Sequence, residues 1–253
     1  KLVNRLKEKS YKNITVFSNQ IRDKVSDVNY VKGDIRDKQK VENCVREKDV
    51  VYHLAAILNE SASKDLIYDV NVKGTKNVAR ACIEEEVKRL IHVSTVGVMG
   101  PTPKGKIADE SSPYNPQTTY EKSKKEAEEV VRKLIKTKGL PALILRLGMI
   151  YGPNEYWKKI IKKAGEGFPL IGEGENHWHL LFIENALHGL IQAGKKGKSG
   201  ETYIIADKQA KTYKEVYKQI CKILEVELPE DKVPVWLAKI IASFHELKSK
   251  FSN

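Results

Sequence analysis

The sequence predicts a doubly wound α/β fold, in which helices cover both faces of a parallel β-sheet. Two observations support this prediction. Through the first two-thirds of the 253 residues, short β-branched and apolar segments alternate with amphipathic ones. The amphipathic segments are long enough to be the helical crossovers that parallel strands require. The last hundred residues alternate less regularly and predict a small α/β lobe.

The predicted strands share a high content of Val, Ile, Leu and aromatic side chains. They cover residues 14–17, 29–32, 49–56, 90–94, 141–147 and 201–206. The segment at 49–56 has the apolar pattern of a buried strand and ends in small residues.

The predicted helices of the first two-thirds are marked by caps and by apolar residues at helical spacing. Asp37 can cap a helix that carries Val41, Cys44 and Val45 on one face. Residues 71–86 form the next predicted helix and residues 120–137 the one after it.

Two helices are predicted in the C-terminal lobe. Thr212 and Glu215 have the spacing of a capping box, which opens the first of them. Its inward-facing residues are Val216, Ile220, Ile223 and Leu224. The second begins at Pro234, a residue favoured in the first turn of a helix. Its inward-facing residues are Leu237, Ile240, Ile241, Phe244 and Leu247.

Composition excludes a disordered chain and a membrane-spanning one. Hydrophobic residues make up 41% and charged residues 31% of the sequence. No segment approaches the run of about 18 apolar residues that a spanning helix needs. The first nine residues contain no apolar signal region, and the three cysteines are widely spaced. We therefore expect a cytoplasmic protein.

The positive charge does not by itself indicate a nucleic-acid partner. Lys and Arg total 45 and Asp and Glu total 33, so the net charge is +12. In residues 121–129, however, Lys and Glu are interleaved, which is typical of a solvated helical face with short-range ion pairs. We expect no nucleic-acid site and no membrane partner.

Tyr120 and Lys124 are the strongest chemical signal. They are four residues apart on a predicted helix and share a face. A free phenol has a pKa of about 10, and a neighbouring ammonium should lower the pKa of Tyr120. The pair could then exchange a proton with a substrate hydroxyl. Thr95, at the end of a predicted central strand, could hold the substrate oxygen beside Tyr120.

Several segments occur in the order that a known family would have. They are Gly-Asp-Ile-Arg-Asp at 33–37, His-Leu-Ala-Ala at 53–56, Asn-Val-Lys-Gly-Thr at 71–75, the Thr95, Tyr120 and Lys124 trio, and Arg-Leu-Gly-Met-Ile-Tyr-Gly-Pro at 146–153. With them, the chain resembles the extended short-chain dehydrogenase/reductase family, which includes nucleotide-sugar epimerases and dehydratases. The resemblance implies a Rossmann-like sheet and NAD or NADP as the cofactor.

The resemblance also implies a set of site residues. The catalytic ones are Thr95, Tyr120 and Lys124. The cofactor-binding ones are Ser18, Asp34, Ile35, Leu54, Ala55, Ala56, Asn71, Tyr120 and Lys124. The substrate-binding ones are Ser94, Thr95, Met149 and Tyr151. A dinucleotide-binding domain would cover residues 1–153, and a substrate lobe would cover most of 154–253, with some segments returning to the first domain. No metal is expected, because His177 and His179 have no neighbouring carboxylate or Cys cluster.

Three features depart from the family pattern. The first strand and the glycine-rich phosphate loop would precede Lys1, and the end at Asn253 comes early, so we expect a fragment or a sequence without its N-terminus. Ser18 stands where NAD-preferring members have an acidic residue, which makes NADP plausible, with Arg22 or Lys24 as its partner. Met149 replaces an Asn that usually contacts a polar substrate.

The resemblance implies hydride transfer at a secondary alcohol or ketone, with a nucleotide sugar as the expected small-molecule substrate. Met149 leaves open an alternative similar to dihydroflavonol reductase or 3β-hydroxysteroid dehydrogenase. A non-catalytic NAD(P)-binding regulator is the alternative of another class. The family also implies a homodimer through the helices at 71–86 and 120–137, with candidate interface positions Val78, Cys82, Ala127 and Val131.

Overall fold

The computed structural model describes residues 1–103, 105–238 and 240. The chain divides into two compact units. The first comprises residues 1–148 and 184–205, and the second comprises residues 149–183 and 206–253. The boundary between a dinucleotide-binding domain and a substrate lobe, predicted between residues 153 and 154, stays a prediction.

The strands and helices are numbered in chain order. The strands are β1 (Thr15–Ser18), β2 (Asn29–Lys32), β3 (Val50–His53), β4 (Arg89–Thr95), β5 (Ala142–Leu147), β6 (Met149–Tyr151), β7 (Leu170–Ile171), β8 (His177–Trp178), β9 (Leu180–Phe182), β10 (Thr202–Ile205), β11 (Lys211–Thr212) and β12 (Lys232–Val233). The helices are α1 (Leu2–Glu8), α2 (Lys38–Val45), α3 (Lys64–Tyr68), α4 (Thr75–Glu84), α5 (Thr119–Lys138), α6 (Glu155–Gly165), α7 (Ile183–Lys196) and α8 (Tyr213–Leu224).

The first unit is built on a parallel sheet, which confirms the predicted fold class. Its strand order is β10-β5-β4-β3, and each neighbouring pair is parallel. Strands β1 and β2 form a separate parallel pair. Every residue of β5 is buried, as expected for a strand covered on both faces. The carboxyl ends of β3 and β4 lie side by side, with His53 paired to His92.

The helix predicted at 71–86 begins earlier and contains an irregular turn. Ser63 caps α3 by accepting a hydrogen bond from the amide of Leu66. A π-helical turn, Asp69–Gly74, then joins α3 to α4. The predicted start at Asn71 was therefore wrong, because that residue lies inside the π turn. Turns of this kind are often found at functional sites.

Helix caps account for the other boundaries. Asp37 caps α2 as predicted, by accepting a hydrogen bond from the amide of Lys40. Thr118 and Glu121 form a capping box at the start of α5, and Gly139 ends that helix in the left-handed conformation.

Among its described residues, the second unit contains short strands and the helices α6 and α8. Strand β6 pairs with β9 and β12 with β7, both in parallel, whereas β11 and β8 are antiparallel. The capping box of Thr212 and Glu215 is present at α8. Ile223 and Leu224 were wrongly placed on its buried face, since they are 74% and 37% exposed. Ile240, predicted to face inward on the helix at Pro234, is 44% exposed and was also wrongly placed. Of the residues predicted for the helix at Pro234, Ile241, Phe244 and Leu247 lie outside the described residues. In the part of the chain that is described, no helix has the length and apolarity to cross a membrane.

Candidate active site

Thr95 lies at the carboxyl end of β4, the edge of a parallel sheet where ligands usually bind. Its hydroxyl oxygen accepts a hydrogen bond from the amide of Gly97 at 3.1 Å, which caps a 3₁₀ turn at Val96–Met99. A hydroxyl that accepts in this way keeps its own proton to donate. Thr95 is therefore oriented by the backbone and can still bind an oxygen atom of a ligand.

Helix α5 presents Tyr120 and Lys124 to the same edge of the sheet. The Lys124 ammonium donates to the carbonyl oxygen of Val93 at 2.8 Å, and the residue is only 3% exposed. At Gly97 an added Cβ would lie 2.7 Å from a carboxylate oxygen of Glu121. The first turn of α5 therefore approaches the segment after Thr95 so closely that a side chain at position 97 would displace the Glu121 carboxylate. The structure thus brings together the segments that carry the trio.

The electrostatics of the pair differ from the sequence prediction. Burial raises the pKa of Tyr120 to about 12, and the nearby charges of Glu121 and Glu60 raise it too. Burial lowers the pKa of Lys124 to about 8, opposed by the negative charge of Glu128. The expected lowering of the Tyr120 pKa is therefore wrong for this structure, because burial and the two neighbouring carboxylates all raise it. Tyr120 therefore holds its proton at neutral pH and can donate it.

Asn71 holds the region together from inside the fold. It is fully buried, and its side-chain oxygen accepts from the amide of Ile57 at 2.8 Å. Its side-chain nitrogen donates to the carbonyl oxygen of Ile57 at 3.0 Å and to the hydroxyl of Ser123 at 2.9 Å. These bonds fix the chain just after β3, and the contact of Asn71 with the cofactor stays a prediction.

Ser123 is a residue of the candidate site that the sequence prediction did not include. Its hydroxyl donates to the carbonyl oxygen of Tyr120 at 2.6 Å and accepts from Asn71. Glu60 was missed as well: its carboxylate accepts from the amide of Tyr120 at 3.0 Å. Both residues hold the first turn of α5. The signal for Ser123 was its place inside the Tyr-x-x-Ser-Lys segment, whereas Glu60 has no local signal.

Two buried histidines lie beneath the site, and both are neutral. The His53 ring nitrogen Nε2 lies 2.8 Å from the hydroxyl of Thr75, which itself donates to the carbonyl oxygen of Asn71. His53 must therefore donate, which assigns its proton to Nε2. Burial lowers the pKa of His53 to about 3, and burial also lowers that of His92 well below its usual value. Neither ring nitrogen of His92 has a partner among the described residues.

The two ends of the segment between Thr95 and α5 contact each other. The amide of Asn115 donates to the carbonyl oxygen of Val98 at 3.0 Å. Gly100 has a φ of +65°, and an added Cβ would lie 2.0 Å from the carbonyl oxygen of Asn115. Only glycine fits this close approach. Residues 100–115 are thus closed at their base.

The predicted cofactor residues are only partly available to a ligand. Leu54 is 47% exposed and Ala55 is exposed, so the chain after β3 offers an open apolar surface. Asp34 forms an ion pair with Arg36 at 2.6 Å and remains near the surface. Ile35 is 8% exposed and packs in the hydrophobic core, so its side chain does not face a ligand as the resemblance implied.

The remaining predicted contacts with cofactor and substrate are also placed. Ala56 is half-buried beside Ala55, and the Ser18 hydroxyl donates to the carbonyl oxygen of Gln20 at 2.7 Å. Ser94 is 4% exposed, and its hydroxyl has no partner among the described residues. Met149 and Tyr151 belong to the second unit: Met149 is 37% exposed, while Tyr151 packs its ring against Phe182 and Trp157.

The four proposed interface positions are wrong. Val78, Cys82, Ala127 and Val131 are all buried within the single chain, at 6% exposure or less. Helices α4 and α5 turn these residues toward the core, where three of them pack together. A second copy could reach only the opposite faces of these helices.

A comparison with known families decides the family of the chain. Residues 1–206 match the NAD-dependent epimerase/dehydratase family. The chain belongs to this family. The resemblance drawn from the sequence is thereby confirmed, since these enzymes are extended short-chain dehydrogenases/reductases.

Relatives act on two kinds of substrate, according to their names. A 3beta-hydroxysteroid-dehydrogenase/decarboxylase (isoform 1) of Arabidopsis thaliana is 33% identical over 241 residues, which cover 88% of this chain and 54% of the relative. A dTDP-glucose 4,6-dehydratase of Neisseria meningitidis is 30% identical over 220 residues, which cover 78% of this chain and 61% of the relative. The chain thus spans about half of the length of the first relative and less than two-thirds of the second.

Solved structures show the same fold. A dTDP-glucose 4,6-dehydratase from Streptomyces venezuelae, solved with NAD bound, has a TM-score of 0.82 and 25% identity, and the match covers 92% of this chain and 80% of that one. A UDP-glucose 4-epimerase from Thermotoga maritima has a TM-score of 0.81 and 21% identity, with coverage of 92% and 81%. NAD is therefore the cofactor of the family and of solved members with this fold.

Proposed function

We propose that this protein is an NAD(P)-dependent oxidoreductase that interconverts a secondary alcohol and a ketone. One observation carries the proposal: the buried Lys124 ammonium is fixed to β4 beside Thr95, one helical turn from Tyr120. Burying a lysine ammonium costs desolvation free energy, which is more than a purely structural position would require. Lys124 also uses only one of its three protons in its hydrogen bond with the described residues, which leaves donors for a ligand.

The residues fit a dinucleotide at the carboxyl edge of the sheet. Leu54 and Ala55 would flank it, and Lys124 would donate to a ribose hydroxyl. When bound, the nicotinamide supplies the acceptor or donor of the hydride. Thr95 would donate to the substrate oxygen and hold it near Tyr120. Tyr120 would give its proton to a ketone oxygen during reduction and take the hydroxyl proton back during oxidation.

A nucleotide sugar is the first proposed substrate class, with epimerisation or dehydration as the net reaction. Support comes from the family itself and from the dehydratases of Neisseria and Streptomyces. In such a reaction, the hydride removed from the sugar is later returned to it. Tyr120 would therefore act first as a base and then as an acid. The first role requires its pKa to fall when the positive charge of an oxidised nicotinamide is bound beside it.

A less polar alcohol, such as a 3β-hydroxysteroid, is the second candidate. Two observations favour it. The Arabidopsis relative that is 33% identical carries a hydroxysteroid name, and Met149 offers an exposed thioether where a polar contact would suit a sugar. Both candidates share the same trio, so they differ only in what binds around it.

The test is a hydride-transfer assay on full-length protein with separate panels of nucleotide sugars and hydroxysteroids, each with NAD and NADP. Because Tyr120 handles the proton, Tyr120→Phe should lower kcat by about 10²–10⁴-fold while cofactor binding survives. Tyr156→Phe is the matched control, since Tyr156 is 57% exposed in the second unit. Near-normal turnover in Tyr120→Phe would contradict the mechanism. Cofactor binding without turnover on either panel would favour the alternative of a non-catalytic NAD(P)-binding regulator.

We further propose a cytoplasmic homodimer. Free Cys44, Cys82 and Cys221 suit a reducing compartment. The outward side of α5 and the π turn forms a shallow concave surface, which is where a second copy would pack. It is lined by Val72, Lys125, Glu126, Glu129, Val130 and Lys133.

A further inference from the structure

A buried ion pair lies directly behind the Tyr120–Lys124 pair. Glu128 is fully buried on α5, and Arg146 is 2% exposed on β5. The Arg146 guanidinium donates through Nε and Nη2 to the two carboxylate oxygens, at 3.1 and 2.9 Å. Tyr114 joins the cluster: its hydroxyl donates to Glu128 at 2.8 Å, and its ring lies 5.0 Å from the guanidinium carbon. The partly exposed Arg132 donates to the Tyr114 hydroxyl at 3.2 Å and lies 3.8 Å from the Glu128 carboxylate.

Stability alone does not explain this cluster. Removing two charges from water is expensive, and apolar residues of the same volume often stabilise a protein as well or better. The pair instead connects three elements. Through Glu128 and Tyr114 it holds α5 and the end of the 100–115 segment, and Arg146 donates to the carbonyl oxygen of Glu110 at 3.3 Å. The Glu110 carboxylate in turn accepts from the amide of Ile204 at 2.8 Å.

The cluster is also coupled to the site through the helix. Glu128 follows Lys124 by four residues, so the two share a face of α5. On the sheet side, Arg146 of β5 pairs in register with Ser94 of β4, the residue before Thr95. The ion pair therefore lies between the helix that carries Tyr120 and Lys124 and the strand that leads to Thr95.

We propose that Glu128 and Arg146, with Tyr114, are positioning residues of the active site: they set where α5 places Tyr120 and Lys124 relative to Thr95. The inference rests on the proposed function. The charged and titratable groups that interact with Lys124 are Glu128 of α5, His53 of β3 and His92 of β4. Both histidines are neutral, and the negative charge of Glu128 raises the pKa of Lys124.

The decisive variant is the double replacement Glu128→Leu with Arg146→Met in the full-length protein. Because it removes both charges, its unfolding free energy should be retained. Its kcat should still fall by about 10- to 100-fold, since α5 is no longer held in position. If the ion pair only stabilised the fold, a well-folded double variant would keep its kcat. Unchanged kcat in a stable double variant would overturn the proposal.

Glu128→Gln supplies a second readout that packing does not move. Activity that needs the Lys124 ammonium falls as pH rises through the pKa of that group, about 8 in this structure. Without the Glu128 charge, this fall should move to lower pH by about one unit. Glu129→Gln is the matched control, because Glu129 is the next residue and forms an exposed pair with Lys125. Identical profiles for the two variants would refute the coupling.

A third measurement needs no substrate and separates this inference from the proposed function. The Lys124 ammonium can be titrated by NMR on lysine labelled with ¹³C, with Lys124→Arg to assign the signal. Glu128→Gln should lower its midpoint, and Glu129→Gln should not. If the wild type shows no hydride transfer on any panel, the proposed function fails, while this titration still decides the coupling. Should the double variant not fold, Tyr114→Phe keeps both charges and should lower kcat without moving the titration.

Discussion

Replacing Asn71 with Ala tests whether the π turn fixes the chain beneath the site. The change removes a hydrogen bond to the Ile57 amide, one to its carbonyl and one to Ser123. Each bond contributes about 0.5–1.5 kcal/mol, so three predict a loss of about 2–4 kcal/mol of unfolding free energy. Ser123 keeps its bond to Tyr120, which holds the loss within that range.

The loss should appear as a fall of about 1 M in the urea midpoint. It should be local too, so hydrogen exchange ought to show the Ile57 amide losing its protection. Asn77→Ala is the matched control, because Asn77 is only half-buried and donates to the carbonyl oxygens of Ile35 and Arg36. Water can replace its bonds, so we expect a smaller cost. If the two variants lose equal stability, or Ile57 stays protected in Asn71→Ala, the reasoning about Asn71 is refuted.

Three further predictions concern pH, specificity and assembly. The pKa of buried His92 is lowered, so the unfolded chain binds more protons below about pH 6.5 and stability should fall with acid. His92→Leu should make that fall shallower by up to about 1.4 kcal/mol per pH unit, as measured by urea unfolding between pH 6.5 and 4, and an unchanged slope would contradict it. Met149→Asn should shift preference from hydroxysteroids toward nucleotide sugars by about 1–3 kcal/mol in kcat/KM, and an unchanged ratio would remove Met149 from the specificity argument. Light scattering at micromolar concentration should give the mass of two chains, and a monomer mass would exclude the homodimer.

The parallel sheet could be predicted because its signals are local. Strand β5 is a continuous apolar run, and Asp37 marks the start of α2 by itself. Helix α6 was missed although its signals were present: Asn154 caps it, and Trp157 and Ala164 are buried at helical spacing.

The parts of the site that sequence missed depend on distant residues. Asn71, inside the π turn at Asp69–Gly74, is bonded to Ile57 and Ser123, which are 14 and 52 residues away in the sequence, so local propensity does not encode these contacts. The pKa of Tyr120 depends on how deeply α5 packs, so spacing from Lys124 could not give its direction. Sequence thus identified the chemical groups, and tertiary packing decided their protonation.

The two ends of residues 100–115 are held together, so the length of this segment does not determine where Thr95 and α5 lie. Because the amide of Asn115 donates to Val98 and Gly100 packs against Asn115, the distance from Thr95 to α5 is fixed at the base of the segment. Extra residues inserted between Gly100 and Asp109 would enlarge the excursion without displacing either catalytic segment. Relatives could therefore vary this loop freely, and a reporter peptide could be grafted into it while hydride transfer is kept.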